Sequence, residues 1–287
     1  MFKNFLFNFA HKINKKNPWI AKTFLWQTMI GPVYHYFRGL MYAKNEARIF
    51  FRANNKRVKK VSELFYDQET KKTFLGMINF RQTYKKSYHI NHGNHTQYFI
   101  NDFFIYGKNE VLIDCGSYNG DSIEKFLEIP NMEYEQIVAF EASTNSFKLL
   151  EQKFENNQKI VLLNVGVYSK DGELYFMESD SSSSVSEHAE NVLGKKTIKV
   201  KAIDSLENLK KVTFIKMDIE GAEIEVLKGA EKTILRDKPL LAISIYHSNE
   251  DMLRIAEWVH ALVPEYKLFC RQHCHFPYTF ETVLYAL

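Results

Sequence analysis

Four polar residues directly follow apolar segments that have the length of strands and alternate with helical patterns. They are Asp114, Glu141, Asp218 and His247. Strands that alternate with helices form a mainly parallel sheet, in which the carboxyl ends of the strands share one edge and ligands bind there. The sequence therefore predicts three carboxylates and one imidazole around a single crevice, where they can bind polar groups and accept a proton.

A glycine-containing turn precedes the first helix of this region. Gly116 and Gly120 flank it with G-x-x-x-G spacing, and glycine lets the backbone approach a ligand closely. Glu141 ends the next strand, where a carboxylate can accept both ribose hydroxyls of an adenosine. The combination favours a nucleoside-type ligand, with an ordinary tight turn and a surface acid as the alternative. The G-x-G-x-x-G spacing of nicotinamide-binding turns is not met.

Acids and bases near the later strands supply the catalytic candidates, Asp218, Glu220, Lys216 and His247. Asp218, Glu220 or His247 can take a proton from a nucleophilic hydroxyl group. Lys216 shares a strand face with Asp218, so we expect its ammonium to pair with that carboxylate and keep it ionised. As alternatives, Glu220 interacts only with a helix dipole, and His247 only caps a helix or bonds to backbone. A divalent metal bound by Asp218 and Glu220 is a further alternative, but two acids without a matched third ligand are thin evidence for it.

Two further clusters contain residue types that can ligate metals. They are His89, His92 and His95, and Cys270, His273, Cys274 and His275. The first surrounds a loop-forming glycine and the second lacks two separated ligand pairs, so we predict no metal at either. Arg271 and His273 are expected at the edge of the crevice, in contact with substrate.

Local signals predict how the elements begin and turn. Asp121 and Glu124 have the spacing of a capping box, and Ser143 or the residue after it caps the next helix. Lys170–Gly172 is typical of a hairpin turn, with Glu173–Phe176 as the return strand of the third strand.

The composition limits the class of protein. The chain has 287 residues, of which 45% are hydrophobic, enough for a large core and too many for a disordered chain. Three Cys cannot build a disulfide framework, and 12 Gly with 6 Pro exclude a collagen-like chain. The length suits one large domain, or one domain with an extension.

Charge divides the chain into two parts. Residues 1–100 contain 18 Lys and Arg but 4 Asp and Glu, whereas residues 101–287 contain 20 and 30. The basic part has helical patterning, with its densest cluster between Arg52 and Lys60. That cluster favours an anionic ligand or a solvated helix face, and no nucleic-acid-binding motif accompanies it.

The first residues form a basic amphipathic pattern, in which Phe2, Phe5, Leu6 and Phe9 share helical spacing. We expect these side chains to pack on the main domain or on a second copy of the chain in a homo-oligomer. Peripheral membrane contact is the alternative. The pattern fits neither a signal peptide nor a membrane span, so we expect a cytoplasmic protein, with the inner face of the membrane as the alternative site.

Six segments resemble the FkbM family of S-adenosylmethionine-dependent methyltransferases. They are residues 114–122 (DCGSYNGDS), 139–141 (AFE), 203–206 (IDSL), 215–223 (IKMDIEGAE), 225–230 (EVLKGA) and 281–285 (ETVLY). The resemblance spans about residues 98–287, and the K-x-D-x-E-G-A-E block is its most specific part. Ser117 stands where the family often has Ala.

The resemblance implies a cofactor, S-adenosylmethionine, and residues that hold it. Those around the methionine part are Asp114, Gly116, Ser117, Tyr118 and Gly120. Asp218 would lie beside the reacting methyl group or the methionine amine.

The nucleoside part of the cofactor has its own set of residues in the same resemblance. Glu141 would hold the ribose with Ala142 beside it, and Gly166 and Val167 would lie near the adenine. Ser183 or a neighbouring serine would close over the cofactor, with a loop tip as the alternative.

We therefore expect an α/β Rossmann-like methyltransferase fold, with a mostly parallel seven-stranded sheet covered by helices on both faces and an N-terminal helical extension. The expected division is residues 1–97 and 98–287. The expected activity is methyl transfer to a hydroxyl oxygen, of a sugar or glycan precursor. A non-sugar small molecule as acceptor, a nicotinamide-dependent oxidoreductase and a non-catalytic cofactor-binding protein are the alternatives.

Overall fold

A computed structural model describes residues 31–93, 97–100, 104–178, 183–186, 196–276 and 279–287. The amphipathic segment around Phe5 and residue His95 lie outside the described residues. The helices are α1 Gly31–Ala53, α2 Asn55–Leu64, α3 Gln68–Thr83, α4 Asp121–Leu127, α5 Thr144–Phe154, α6 Glu223–Lys228, α7 Glu231–Asp237 and α8 Asp251–Leu262. The strands are β1 Glu110–Cys115, β2 Tyr134–Phe140, β3 Ile160–Leu163, β4 Gly166–Val167, β5 Gly172–Glu178, β6 Ser183–Ser186, β7 Lys196–Lys201, β8 Phe214–Met217, β9 Leu240–Ser244, β10 Leu268–Gln272 and β11 Thr282–Ala286.

The large sheet has seven strands in the order β10-β11-β9-β8-β1-β2-β3. All neighbours from β9 to β3 pair in parallel, and β11 is antiparallel to both β9 and β10. The predicted α/β fold with a mostly parallel seven-stranded sheet is confirmed. The chain order reverses between β1 and β8, so the crevice expected at such a switch point lies above these two strands.

A second, four-stranded sheet has the order β4-β7-β5-β6. The sequence predicts that Glu173–Phe176 returns from the Lys170–Gly172 turn to pair with the third strand. This prediction is wrong, because β5 pairs antiparallel with β7. Asp171 explains the pairing, since its carboxylate accepts hydrogen bonds from the Ala202 N–H at 2.8 Å and the Ser205 hydroxyl at 2.5 Å. The turn is thereby attached to the end of β7, a contact that a local turn signal does not encode.

The first turn of α4 differs from the predicted capping box. Gly120 is the N-cap at φ 85°, and Asp121 is the first helical residue. A Cβ on Gly120 would lie 2.5 Å from the Phe154 ring, so packing and backbone conformation both require glycine there. The cap predicted for α5 is confirmed, because the Ser143 hydroxyl accepts the Ser146 N–H.

The N-terminal helices pack directly against the large sheet. Phe51, Val61 and Phe74 belong to the same buried cluster as Ile243 and Leu268 of the large sheet. The segment after α2 also adds a hydrogen bond to the sheet edge, from the Tyr66 N–H to the Leu268 carbonyl at 2.9 Å. The helical extension is confirmed for the described residues, while the boundary between residues 97 and 98 stays a prediction.

Within the part of the chain that the structure describes, every helix is too short or too polar to cross a membrane.

Candidate active site

The turn after β1 packs tightly against the end of β8. Gly116 has φ 84°, and a Cβ on it would lie 2.1 Å from the Asp218 carbonyl oxygen. The N–H groups of Gly116 and Ser117 both donate to the Phe140 carbonyl, at 3.1 and 3.0 Å. The ends of β1, β2 and β8 are therefore joined at one place, as the sequence predicts.

Glu141 is a buried carboxylate that is fixed against this turn. Its two oxygens accept the Tyr118 N–H and the Ser143 N–H, each at 2.7 Å. Burial raises the pKa of Glu141, and the two backbone hydrogen bonds oppose that change. A carboxylate has about four acceptor positions, so Glu141 can still accept hydroxyl groups from a ligand. Asn164, which sequence reasoning missed, donates to the Glu141 carbonyl at 2.9 Å.

A buried ion pair lies beneath the turn, between Asp114 and Lys216. The Lys216 ammonium is 3.0 Å from the Asp114 carboxylate and donates to the Gly116 carbonyl at 2.8 Å. The other Asp114 oxygen accepts the Ser122 hydroxyl at 2.5 Å. Burial lowers the pKa of Lys216, but the nearby carboxylates outweigh it and the net shift is upward.

This arrangement corrects two expectations. The ion-pair partner of Lys216 is Asp114, not Asp218, because the parallel register places Asp114 directly opposite Lys216 on the neighbouring strand. Asp114 and Ser117 have no exposed surface, so both lie beneath the turn and position it rather than line the crevice.

Asp218 lies at the crevice with hydrogen-bond donors on both carboxylate oxygens. The Tyr98 hydroxyl donates to Oδ2 at 2.8 Å and the Tyr246 hydroxyl to Oδ1 at 3.1 Å. His247 Nε2 lies 3.3 Å from Oδ1. Burial alone would raise the pKa of Asp218, but His247, Lys216 and Tyr98 outweigh it and lower it to about 2. Asp218 is therefore ionised and a weak base at neutral pH.

His247 bridges two carboxylates through its two ring nitrogens. Nδ1 lies 2.8 Å from Glu223, Nε2 faces Asp218, and Glu220 lies 3.7 Å from Nε2. Burial lowers the pKa of His247, but the adjacent carboxylates of Asp218 and Glu223 outweigh it and raise the pKa to about 10. An imidazolium has no free acceptor nitrogen, so in this state His247 is not the general base that the sequence suggested.

The roles of the two glutamates beside His247 also become clear. Glu223 is fully buried and accepts N–H groups of Ile219 and Gly221 in addition to its contact with His247. Glu220 is half-exposed at φ 59°. Glu223 therefore holds the imidazolium in place, and Glu220 remains a candidate for contact with a ligand.

Asp218, Glu223 and His247 offer ligand atoms within 4.8 Å of one another. The two carboxylates contact opposite nitrogens of the His247 ring, whereas a metal ion binds one nitrogen of an imidazole. The contacts fit a protonated ring between two carboxylates better than three ligands around one ion.

Glu281, to which sequence reasoning assigned no role, also belongs to the site. Its carboxylate accepts a hydrogen bond from the Gln97 amide, next to the tyrosine that holds Asp218. Burial and the charge of Asp218 raise the pKa of Glu281 to about 7, against the hydrogen bond from Gln97. Its only sequence signal is its place in the ETVLY segment.

The structure places the remaining cofactor candidates as follows. Tyr118 is 60% exposed on the turn, and Ala142 is half-buried beside Glu141. Gly166 and Val167 are buried in the small sheet, and Ser183 lies in β6 opposite Glu178. The roles of Ala142, Gly166, Val167 and Ser183 around the cofactor stay predictions.

Arg271 and His273, which the sequence placed at the crevice edge, make hydrogen bonds inside the fold. Arg271 is buried and donates to the Thr70 hydroxyl at 2.9 Å. His273 is buried between the Gly93 carbonyl and the Tyr285 hydroxyl, and burial lowers its pKa to about 4. The prediction that Arg271 and His273 contact substrate is therefore wrong in this structure.

The seven-stranded sheet and the glycine turn at its switch point belong to the fold class of S-adenosylmethionine-dependent methyltransferases. The family model for the methyltransferase FkbM domain matches residues 114–268, more than half of the chain. The chain belongs to the FkbM methyltransferase family. No curated protein sequence matches it.

The chain is similar to several solved structures, and the first of these shares its fold. The FkbM methyltransferase of Methylobacillus flagellatus KT has a TM-score of 0.71 and 24% identity, covering 84% of this chain. The match covers 60% of that protein, so this chain spans less than two thirds of its length. An rRNA methylase from Streptococcus thermophilus has a TM-score of 0.41 and 14% identity, over 63% of this chain and 87% of that one. Fibrillarin from Aeropyrum pernix, solved with S-adenosyl-L-methionine bound, has a TM-score of 0.38 and 14% identity, over 63% and 67%.

Proposed function

We propose that the protein transfers a methyl group from S-adenosylmethionine to a hydroxyl oxygen, of a sugar or a glycan precursor. The observation that carries this proposal is the close junction of the glycine turn with the end of β8. There, Gly116 contacts the Asp218 backbone, and the Asp218 carboxylate is held by two tyrosines and an imidazolium. A site there for a cationic sulfonium compound would share one crevice with an ionised acid.

The residues at the turn fit this cofactor. Gly116 would let the backbone approach the methionine part, Tyr118 and Gly120 would border it, and Glu141 would accept the ribose hydroxyls with its remaining lone pairs. Asp218, ionised at neutral pH, would attract the positively charged groups of the cofactor. When bound, S-adenosylmethionine supplies an electrophilic methyl group, so the protein needs mainly to align the acceptor and remove its proton.

The proton of the acceptor hydroxyl would pass to Glu281. An efficient general base has a pKa near the working pH, and Glu281 meets that condition with a pKa of about 7. Asp218 has too low a pKa and His247 is already protonated. Gln97 would hold the Glu281 carboxylate towards the crevice while it accepts the proton.

The surroundings of Glu281 support a sugar hydroxyl as the acceptor. Phe280 is 46% exposed, and its ring lies 6.4 Å from that of Tyr246. Aromatic rings can cover the C–H face of a sugar while carboxylates accept hydrogen bonds from its hydroxyls. Comparing glycans from cells with and without the protein by mass spectrometry tests the acceptor class. In glycans from cells without the protein, each sugar residue that the protein modifies should lack one methyl group.

S-adenosylhomocysteine, the demethylated cofactor, is expected to raise the melting temperature by on the order of 5 °C at one hundred times its dissociation constant. Glu141→Ala should remove most of that shift, because the ribose loses its acceptor. Glu151→Ala, on the exposed face of α5, is the control and should keep it. A wild-type protein whose melting temperature does not respond would contradict the cofactor assignment.

A further inference from the structure

Arg81, in the last turn of α3, reaches from the N-terminal helices to the loop after β9. Its side chain is buried, and its guanidinium donates to the Tyr246 carbonyl and, at 3.2 Å, to the Asn249 side-chain oxygen. The two partners of Arg81 follow it in the chain by 165 and 168 positions. The basic N-terminal part of the sequence thus contributes a cation to the interior of the fold.

A buried guanidinium in this position needs an explanation. Burial lowers the pKa of Arg81 to about 10, against the favourable charge of Asp251, so the group is still charged at neutral pH. Removing a cation from water is costly, and hydrogen bonds or nearby charges must offset that cost. The hydrogen bonds of Arg81 therefore indicate which part of the fold it holds. What Arg81 fixes is the loop between β9 and α8, through the Tyr246 carbonyl and the Asn249 side chain.

That loop carries two of the three groups that hold Asp218. Tyr246 donates its hydroxyl to Asp218, and His247 links Asp218 to Glu223. The backbone position of Tyr246 therefore sets where the hydroxyl and the imidazolium meet the carboxylate. A shift of this loop would loosen both contacts together.

We propose that Arg81 is a positioning residue of the active site, through which the N-terminal helices hold the Tyr246–Asn249 loop in its Asp218-binding arrangement. The inference rests on the proposed function in taking Asp218 as part of the reaction site. The N-terminal helices then contribute to the active site, because they hold the loop that contacts Asp218.

A second arginine joins the same parts of the molecule without touching Tyr246 or Asn249. Arg57 of α2 donates to Glu257 of α8 at 2.9 and 2.7 Å, and it lies 2.6 Å from Glu250. Its side chain is partly exposed, and its two partners lie at the start of α8 and within it. Arg57→Met is therefore the matched control, since it weakens the attachment of the helices but leaves the loop contact in place.

The test follows the imidazole of His247 by NMR through a pH titration of the full chain without cofactor. The signal is assigned by its loss in His247→Gln. Arg81→Met is expected to lower the pKa of His247 by on the order of one pH unit, because its ion pairs with Asp218 and Glu223 loosen. Arg57→Met should leave the titration unchanged.

Arg81→Lys keeps the charge but has fewer donors, so it should give an intermediate result and serve if the Met variant does not fold. A His247 titration equal to that of the wild type in folded Arg81→Met, or in Arg81→Lys if only that variant folds, would overturn the proposal. Because the titration needs no cofactor, failure to bind S-adenosylhomocysteine would overturn the proposed function and leave this inference standing.

Discussion

Glu281→Gln is expected to slow methyl transfer by about 10²–10⁴-fold, the usual contribution of a general base. The amide has the size of the carboxylate but cannot take the proton that the acceptor hydroxyl loses as its oxygen attacks the methyl group. The measurement is the initial rate of label transfer from S-adenosylmethionine to sugar-precursor extracts of cells that lack the protein.

The pH dependence gives a second readout of the same prediction. Because burial and the charge of Asp218 raise the pKa of Glu281 to about 7, the carboxylate is protonated and inactive below that pH. The wild-type rate should rise through about pH 7 and Glu281→Gln should lose this rise. Glu265→Gln, at an exposed surface position, is the control and should behave as the wild type. A variant Glu281→Gln that keeps both the rate and its rise would remove Glu281 from the mechanism.

The sheet and the glycine turn could be predicted because their signals are local. Apolar runs that end in Asp114, Glu141 or Asp218 identify strands, and the rule that parallel strands share a carboxyl edge brings their ends together. The glycines of the turn add the expectation of a close backbone approach, which the packing of Gly116 on Asp218 confirms. Local spacing thus predicted that these strand ends meet, but not the hydrogen-bond partners of their acids.

The partners could not be predicted because they come from distant parts of the chain. Tyr98 is 120 residues from Asp218, and Gln97 is 184 residues from Glu281. No periodicity connects such pairs, and a carboxylate with a pKa near 2 has the same sequence signal as one near 7. The difference arises from burial and neighbouring charges, which only the packed structure defines.

The same limit explains the error about Lys216. Residues two apart on a strand share a face, which suggested Asp218 as its partner, but the register between β1 and β8 sets Asp114 opposite it. Register between strands depends on the whole sheet and not on the two residues alone.

Lys216→Met is expected to destabilise the protein by about 3–5 kcal/mol, the usual cost of removing one partner of a buried ion pair. Both side chains are almost fully buried, so the Asp114 carboxylate would be left in the interior without its cation. The Gly116 carbonyl would lose a donor as well. Urea unfolding of the full chain, followed by circular dichroism, measures the change in the free energy of unfolding.

A surface pair of the same chemistry provides the control for this value. Lys228 lies 2.6 Å from Glu225 with about half of its side chain exposed, so Lys228→Met should cost less than about 1 kcal/mol. Adding Asp114→Asn to Lys216→Met should recover part of the loss, because the uncompensated charge is removed along with its partner. If Lys216→Met costs no more than Lys228→Met, the pair does not organise the turn, and the position of Gly116 against Asp218 must depend on strand pairing alone.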